Sequence, residues 1–215
     1  TVGNMEPTPA ADLFEVMGST RAIRRFRTDS VPDHLLERPV WAGTRAPSRG
    51  NTQGWDFVVL TDPEKKARIG AAMRDALGPR LAAMPRGDAS NRRVIDGAAH
   101  LADTFDTVPA VIFVCGPVIY PASAPREQMT WAALYPAAQN ILLAARGLGL
   151  GAVFTTFHHS AEPVVREVLG IPEHIRIGVT IPVGWPDSPF GEVARLPLEQ
   201  YTHRNGWQGE KRPGA

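Results

Sequence analysis

Apolar positions along the chain follow two rhythms, and the switches between them divide it into helices and strands. Leu13, Phe14, Val16 and Met17 have helical spacing and predict a short amphipathic helix from about Ala11. Val31-Pro32-Asp33 opens a second helix through Leu35, Leu36 and Val40, with Pro39 expected to bend it before Trp41. Trp55 to Leu60 reads as a buried strand, and Asp62-Pro63-Glu64 starts a charged helix running to about Leu77. From Gly78 to Asn91 the pattern fades around Pro79, Pro85 and Gly87, which predicts a mobile, lid-like connection. A helix from Val94 to Phe105 leads to the apolar strand Ala110 to Cys115, and Pro117, Pro121 and Pro125 mark the next loop.

The longest helical pattern, Arg126 to Leu148, is apolar nearly all round from Trp131 onward. That is how a helix in a core or at a subunit interface reads, and Pro136 is expected to kink it. Gly147-Leu148-Gly149-Leu150-Gly151 then closes a helix and opens a strand at Val153. A dinucleotide fingerprint needs the reverse order, so a glycine helix end is the simpler account. Ser160 is expected to cap a helix through Leu169, and Ile175 to Val183 is the last core strand. The pattern describes one domain over residues 11–207, with a leader at 1–10 and a tail at 208–215 both expected to be flexible. No internal repeat or linker divides it.

Composition removes function classes more than it selects one. The 215 residues suit a single domain, and a formal net charge of +1 argues against a nucleic-acid or anionic-membrane binder. The single cysteine, Cys115, cannot pair within the chain and reads as a small core hydrophobe. No signal-peptide pattern and no apolar run of about 20 residues is seen, so a cytoplasmic protein without membrane contact is expected. No Cys/His cluster has zinc spacing, and His158-His159 on an extended segment would face opposite ways, against a metal pair. Neither a G-x-S-x-G elbow nor a P-loop occurs.

Two segments remain as candidate chemistry. In Thr20-Arg21-Ala22-Ile23-Arg24-Arg25-Phe26, Arg21 and Arg24 offer the fixed charge and guanidinium donors that a phosphate tail needs. In Ala46-Pro47-Ser48-Arg49-Gly50-Asn51-Thr52-Gln53-Gly54-Trp55, Ser48, Asn51 and Gln53 supply neutral donors and acceptors, and Gly50 lets backbone approach a flat ligand. Taken singly, the first reads as a solvated basic face and the second as an ordinary turn. Taken together, in this order, they read as the two halves of a flavin site.

The order and spacing resemble the FMN-dependent nitroreductase family, in which an R-S-x-R-like cluster is followed by a P-S-x-x-N-x-Q-P-W loop. Tyr135-Pro136-Ala137-Ala138-Gln139-Asn140-Ile141-Leu142-Leu143-Ala144-Ala145 and the glycines after it look like the family's central helix and exit, so the resemblance spans about Met17 to Trp207. It implies an α+β fold, a mixed β-sheet flanked by helices, and a homodimer with FMN at the subunit interface. It further implies that Arg21 and Arg24 hold the phosphate and ribityl chain, with the backbone of Ala22 standing where the family often has serine. Pro47, Ser48, Asn51 and Gln53 would contact the flavin, Phe154-Thr155-Thr156 would lie against the ring, and Arg195 would return to the phosphate. Gly54 replaces the usual proline, and Phe154-Thr155-Thr156 departs from the acidic segment of well-known bacterial members. No side chain is expected to be catalytic, because the flavin N5 carries the hydride. The implied activity is NADH- or NADPH-dependent reduction of a nitroaromatic or quinone-type small molecule by a ping-pong mechanism. Enone reduction, reductive dehalogenation and non-catalytic flavin storage are the alternatives.

Overall fold

The computed structural model describes residues 12–209; the leader at 1–10 and most of the expected tail lie outside that range. Four strands, β1 (Asp56–Leu60), β2 (Ala110–Pro117), β3 (Gly151–Ala152) and β4 (Ile175–Gly184), form one sheet in the order β1-β2-β4-β3. Among the described residues six α-helices surround it: α1 (Leu13–Ser19), α2 (Asp33–Gly43), α3 (Pro63–Ala83), α4 (Ala89–Asp103), α5 (Glu127–Gly147) and α6 (Glu162–Leu169).

Strand alternation explains the layering. Val111, Phe113 and Cys115 of β2 face a core shared with Ile69, Met73, Leu101 and Val165 from α3, α4 and α6. Their neighbours Ala110, Ile112 and Val114 face Leu36, Leu134 and Ile141 from α2 and α5. Period-two side chains thus serve two cores, which is why the strand reads as an unbroken apolar run. Cys115 is a member of the first core, where burial and the nearby Asp56 charge push its thiol pKa up to about 12. It packs as the small hydrophobe expected.

The α+β class stands, but every pairing among the described strands is antiparallel rather than mixed. The connections give the reason. Helices α3 and α4 make a there-and-back pair between β1 and β2, so β2 re-enters from the end where β1 left.

Other departures are local. The expected lid from Gly78 to Asn91 is mostly helix, leaving only residues 84–88 as connection. Met73, Leu77 and Leu81 recur every fourth residue and are buried, so core packing carries α3 through Pro79. Asp88 then caps α4 by accepting from the Asn91 N–H at 2.8 Å. Helices α2 and α5 likewise run on through Pro39 and Pro136. Ser160 is not the cap of α6: it ends a 3-10 turn over Phe157–Ser160, and Ala161 takes the cap position without a side-chain bond. That turn also overturns the extended reading of His158-His159. Among the described residues no helix is long and apolar enough to cross a membrane.

Candidate functional site

The stretch after α1 runs extended past the end of the sheet. Ile23 N–H donates to Ala152 C=O at 3.1 Å and Arg27 N–H to Trp185 C=O at 2.9 Å, while Ile23 itself is buried. These bonds fix the backbone between Arg21 and Arg24 and again just beyond Arg24, and the two arginines meet different neighbours. Arg21 and Ala22 line a cavity of about 250 Å³ together with Thr20, Gln139, Phe154 and Arg195. The chain end that brings Arg195 there is tied to α1 by Val193 N–H donating to Gly18 C=O at 2.8 Å. Arg24 does not line the cavity; its stem crosses α4 at Gly97.

Charge in this region is uncompensated. Among the described residues none of Arg21, Arg24 and Arg195 forms an ion pair, and Arg195 donates only to the neighbouring Ala194 C=O, at 2.8 Å. Arg24 is half-buried, and burial pulls its pKa below the ordinary arginine value. Cations held without carboxylates are the donor set of an anion site.

Residues 154–156 alternate. Phe154 and Thr156 are exposed, whereas Thr155 is buried, pairs with Thr180 through both backbone groups, and donates its hydroxyl to Thr180 C=O at 2.9 Å. Behind this strand His158 is fully buried, its Nδ1 2.8 Å from Thr180 Oγ1 and its Nε2 without a hydrogen-bond partner. Burial, then the adjacent His159, pulls its pKa down to about 4. Phe154 meets Tyr135 edge-on at 5.7 Å, and Tyr135 stacks on Trp131 at 6.0 Å. Trp131, Tyr135 and Gln139 repeat at four-residue spacing on α5, a stripe that helical periodicity could have isolated but that the apolar surroundings hid.

The loop at 47–54 lies elsewhere. Gly50, Asn51 and Gln53 have φ of +61°, +50° and +48°, so two non-glycine residues sit in the left-handed region within one short loop. Such strain persists only where surrounding contacts hold it, and it gathers at functional sites. Ser48 is the internal staple, its Oγ accepting from Gln53 N–H at 3.0 Å. Arg49, not singled out from sequence, clamps the loop by reaching Met129 Sδ at 3.0 Å and lying over the Tyr120 ring at 5.7 Å. Pro47, Asn51 and Gln53 are exposed, and neither amide makes a side-chain hydrogen bond among the described residues.

The two halves therefore do not meet within one chain. The loop half borders Met129, Thr130 and Ala133 of α5, the cavity half Gln139, Leu142 and Leu143. From Ala133 to Gln139, the nearest of these, the helix advances roughly 9 Å. The donor set itself fits a flavin mononucleotide: unpaired cations for phosphate, an aromatic rim for the ring, and free amides for its polar edge.

Comparison with known proteins gives the family. The nitroreductase family profile matches residues 18–185. The chain is 28% identical over 214 residues to an NADH dehydrogenase of Thermus thermophilus, covering 91% of this chain and 98% of the relative. It is 27% identical over 198 residues to iodotyrosine deiodinase 1 of Mus musculus, covering 88% and 68%. A crystal structure of iodotyrosine deiodinase bound to FMN and 3-iodo-L-tyrosine shares the fold, with a TM-score of 0.72 at 21% identity over 91% of this chain and all of that one. The chain belongs to the nitroreductase family.

Proposed function

We propose that this member of the nitroreductase family is an FMN-dependent oxidoreductase that works as a homodimer. NADH or NADPH gives up a hydride, and a nitroaromatic or quinone-type acceptor takes the electrons. The observation that carries this reading is the cavity in which Arg21 and Arg195 stand beside Phe154 and Gln139 with no carboxylate paired to either arginine among the described residues. Fixed cations without counter-charge hold the phosphate, the Ala22 backbone stands beside them, and Phe154 and Thr156 face the ring. Arg24 adds a third cation from the side of α4. The relative named as an NADH dehydrogenase and the FMN-bound deiodinase structure support the donor and the cofactor. Bound FMN supplies the hydride and electron chemistry, so the side chains bind, orient and polarise, and none is assigned as catalytic.

The partner copy completes the site with Pro47, Ser48, Asn51 and Gln53; within one chain the loop and the cavity share no lining residue. Two features support this assembly. The arm after Arg195 leaves Leu196, Leu198, Tyr201 and Trp207 exposed, Trp207 at 78%. Strand β1 is a sheet edge, and beside it a groove of about 530 Å³ exposes Trp41 and Val59 between Asp33 and Glu37. The arm's apolar residues suit the floor of that groove, and its Arg204 suits the acidic rim.

Likeness to iodotyrosine deiodinase favours one second reading, reductive dehalogenation of an aromatic substrate. Mass spectrometry of released cofactor, light scattering and anaerobic stopped-flow reduction test the proposal together. Expected are FMN, a dimer at low micromolar concentration, reduction by at least one nicotinamide, and parallel double-reciprocal lines with a nitroaromatic. Finding only FAD, or no flavin after reconstitution, overturns the cofactor; a monomer that keeps FMN overturns the shared site. Failure of both nucleotides to reduce the flavin points to flavin storage, and faster turnover of a halogenated phenol than of nitroaromatics or quinones favours the second reading.

A further inference from the structure

Gly97 stands in the interior of α4, where glycine is a poor helix former, and one neighbour accounts for it. A Cβ built on Gly97 would lie 3.1 Å from Arg24 Cδ, closer than ordinary packing, and 3.9 Å from its Nη1. The Arg24 stem thus rests directly on the bare backbone of the helix. Among the described residues nothing on that surface neutralises it. Asp96, next in sequence to Gly97, is engaged by Arg86 at 3.0 Å, and His100 one turn on meets Arg25, with Nδ1 and Nη1 3.2 Å apart. Among the described residues Arg24 itself makes no hydrogen bond or ion pair, although it is half-buried. A long cationic side chain that is partly desolvated, unpaired and held by its stem is positioned for something the chain does not contain.

We propose that Gly97 is a positioning residue of the flavin site: it seats the Arg24 stem on α4 and holds the guanidinium at one place beside that helix, as a cation for the cofactor, instead of letting it swing into solvent. The inference rests on the proposed role of Arg24 as a flavin contact. It makes α4, which the sequence motifs did not touch, part of the cofactor-binding frame.

The two single substitutions at position 97 separate seat from scaffold. Gly97→Ala improves helix propensity, so the melting temperature of the flavin-free chain holds or rises while the Kd for FMN increases several-fold. Gly97→Val displaces the stem further and weakens FMN binding tenfold or more, the loss expected for a misplaced charge-assisted bond. Arg24→Ala weakens binding to a similar extent, and Gly97→Val in the Arg24→Ala background adds less than a further twofold, because the group that Gly97 seats is gone. Fluorescence titration of FMN into the full-length flavin-free chain gives all four values. Position 97 substitutions that leave the Kd within twofold of wild type while Arg24→Ala weakens it overturn the seat and leave the cofactor reading intact. So do additive effects in the double variant, or a fall in flavin-free melting temperature that parallels the loss of binding. An Arg24→Ala chain that binds FMN as wild type removes Arg24 from the site, and this inference with it.

Discussion

The cavity at Arg21 and Arg195 and the loop at 47–54 serve one cofactor in the reading proposed here, yet they are built by opposite means. The cavity half stands on a relaxed frame: Ile23 and Thr155 are pinned by backbone bonds to the sheet, and His158 fills the space behind. Its unusual property is charge, with Arg21 and Arg195 in the cavity and Arg24 beside α4 all without carboxylates. The loop half carries no such charge at its exposed amides; its unusual property is conformation, with Gly50, Asn51 and Gln53 at positive φ and Arg49 clamping them to Tyr120 and Met129. One half stores unsatisfied electrostatics and the other backbone strain, and in both the surrounding fold holds what an isolated segment would release.

The strongest way to break the comparison is to divide it between chains. Arg21→Ala and Asn51→Ala homodimers are each expected to be impaired, the first in holding FMN and the second in flavin reduction. If the halves come from different copies, refolding an equal mixture gives heterodimers with one intact site each, restoring about a quarter of wild-type sites by random pairing. No recovery above the sum of the two parents, in activity at an FMN concentration that leaves the Arg21→Ala sites empty, would place both halves in one chain.

A second test addresses the relaxed frame. His158 has its pKa depressed from 6.5 to about 4, so as pH falls below 6.5 the unfolded chain takes up the proton first. Stability present above pH 6.5 is therefore lost progressively toward pH 4, by at most about 3 kcal/mol. The groups facing His158 are His159, Glu162 and Arg166, with Thr180 at hydrogen-bond distance. Urea unfolding from pH 7 to pH 4 is expected to show a shallower pH dependence in His158→Gln than in wild type. Equal slopes would mean that His158 is not held neutral.

Charge and ring contacts are separable by ligand. Arg195→Ala is expected to weaken FMN binding by about 1.5 to 3 kcal/mol, the range for hydrogen bonds to charged groups, and to leave riboflavin binding nearly unchanged. Asn51→Ala is expected to affect both flavins alike and to slow reduction more than it weakens binding. Equal losses for FMN and riboflavin in Arg195→Ala would take that residue away from the phosphate.

The smallest effect tests strain. Gly50→Ala puts a Cβ at φ of +61° and 3.0 Å from the Tyr120 ring. Destabilisation of about 1 to 2 kcal/mol is expected for the left-handed penalty. Thermal unfolding that is unchanged would show that the loop relaxes freely, and the contrast with the cavity half would lose its basis.

Much of this was legible before folding, and the reason is local. Strand β2 announced itself because alternate residues serve two cores, and the α5 exit because glycines end helices. Arg21 stood out by its basic motif, Ala22, Phe154 and Arg195 only by the family resemblance, and the fold brings all four to one cavity. Periodicity failed where long-range packing overrode local signals: Leu77 and Leu81 hold α3 across Gly78-Pro79, so the expected lid is helix. The antiparallel β1–β2 pairing followed from the two helical passes between those strands, which no residue encodes by itself. Sequence alone determined the chemical character of each half, since a guanidinium or an amide keeps its chemistry wherever it lies. Only the tertiary structure decided that Arg24 leaves Arg21 for the backbone of Gly97 and that the two halves stand apart along α5, because distances between remote segments are set by packing and not by order along the chain.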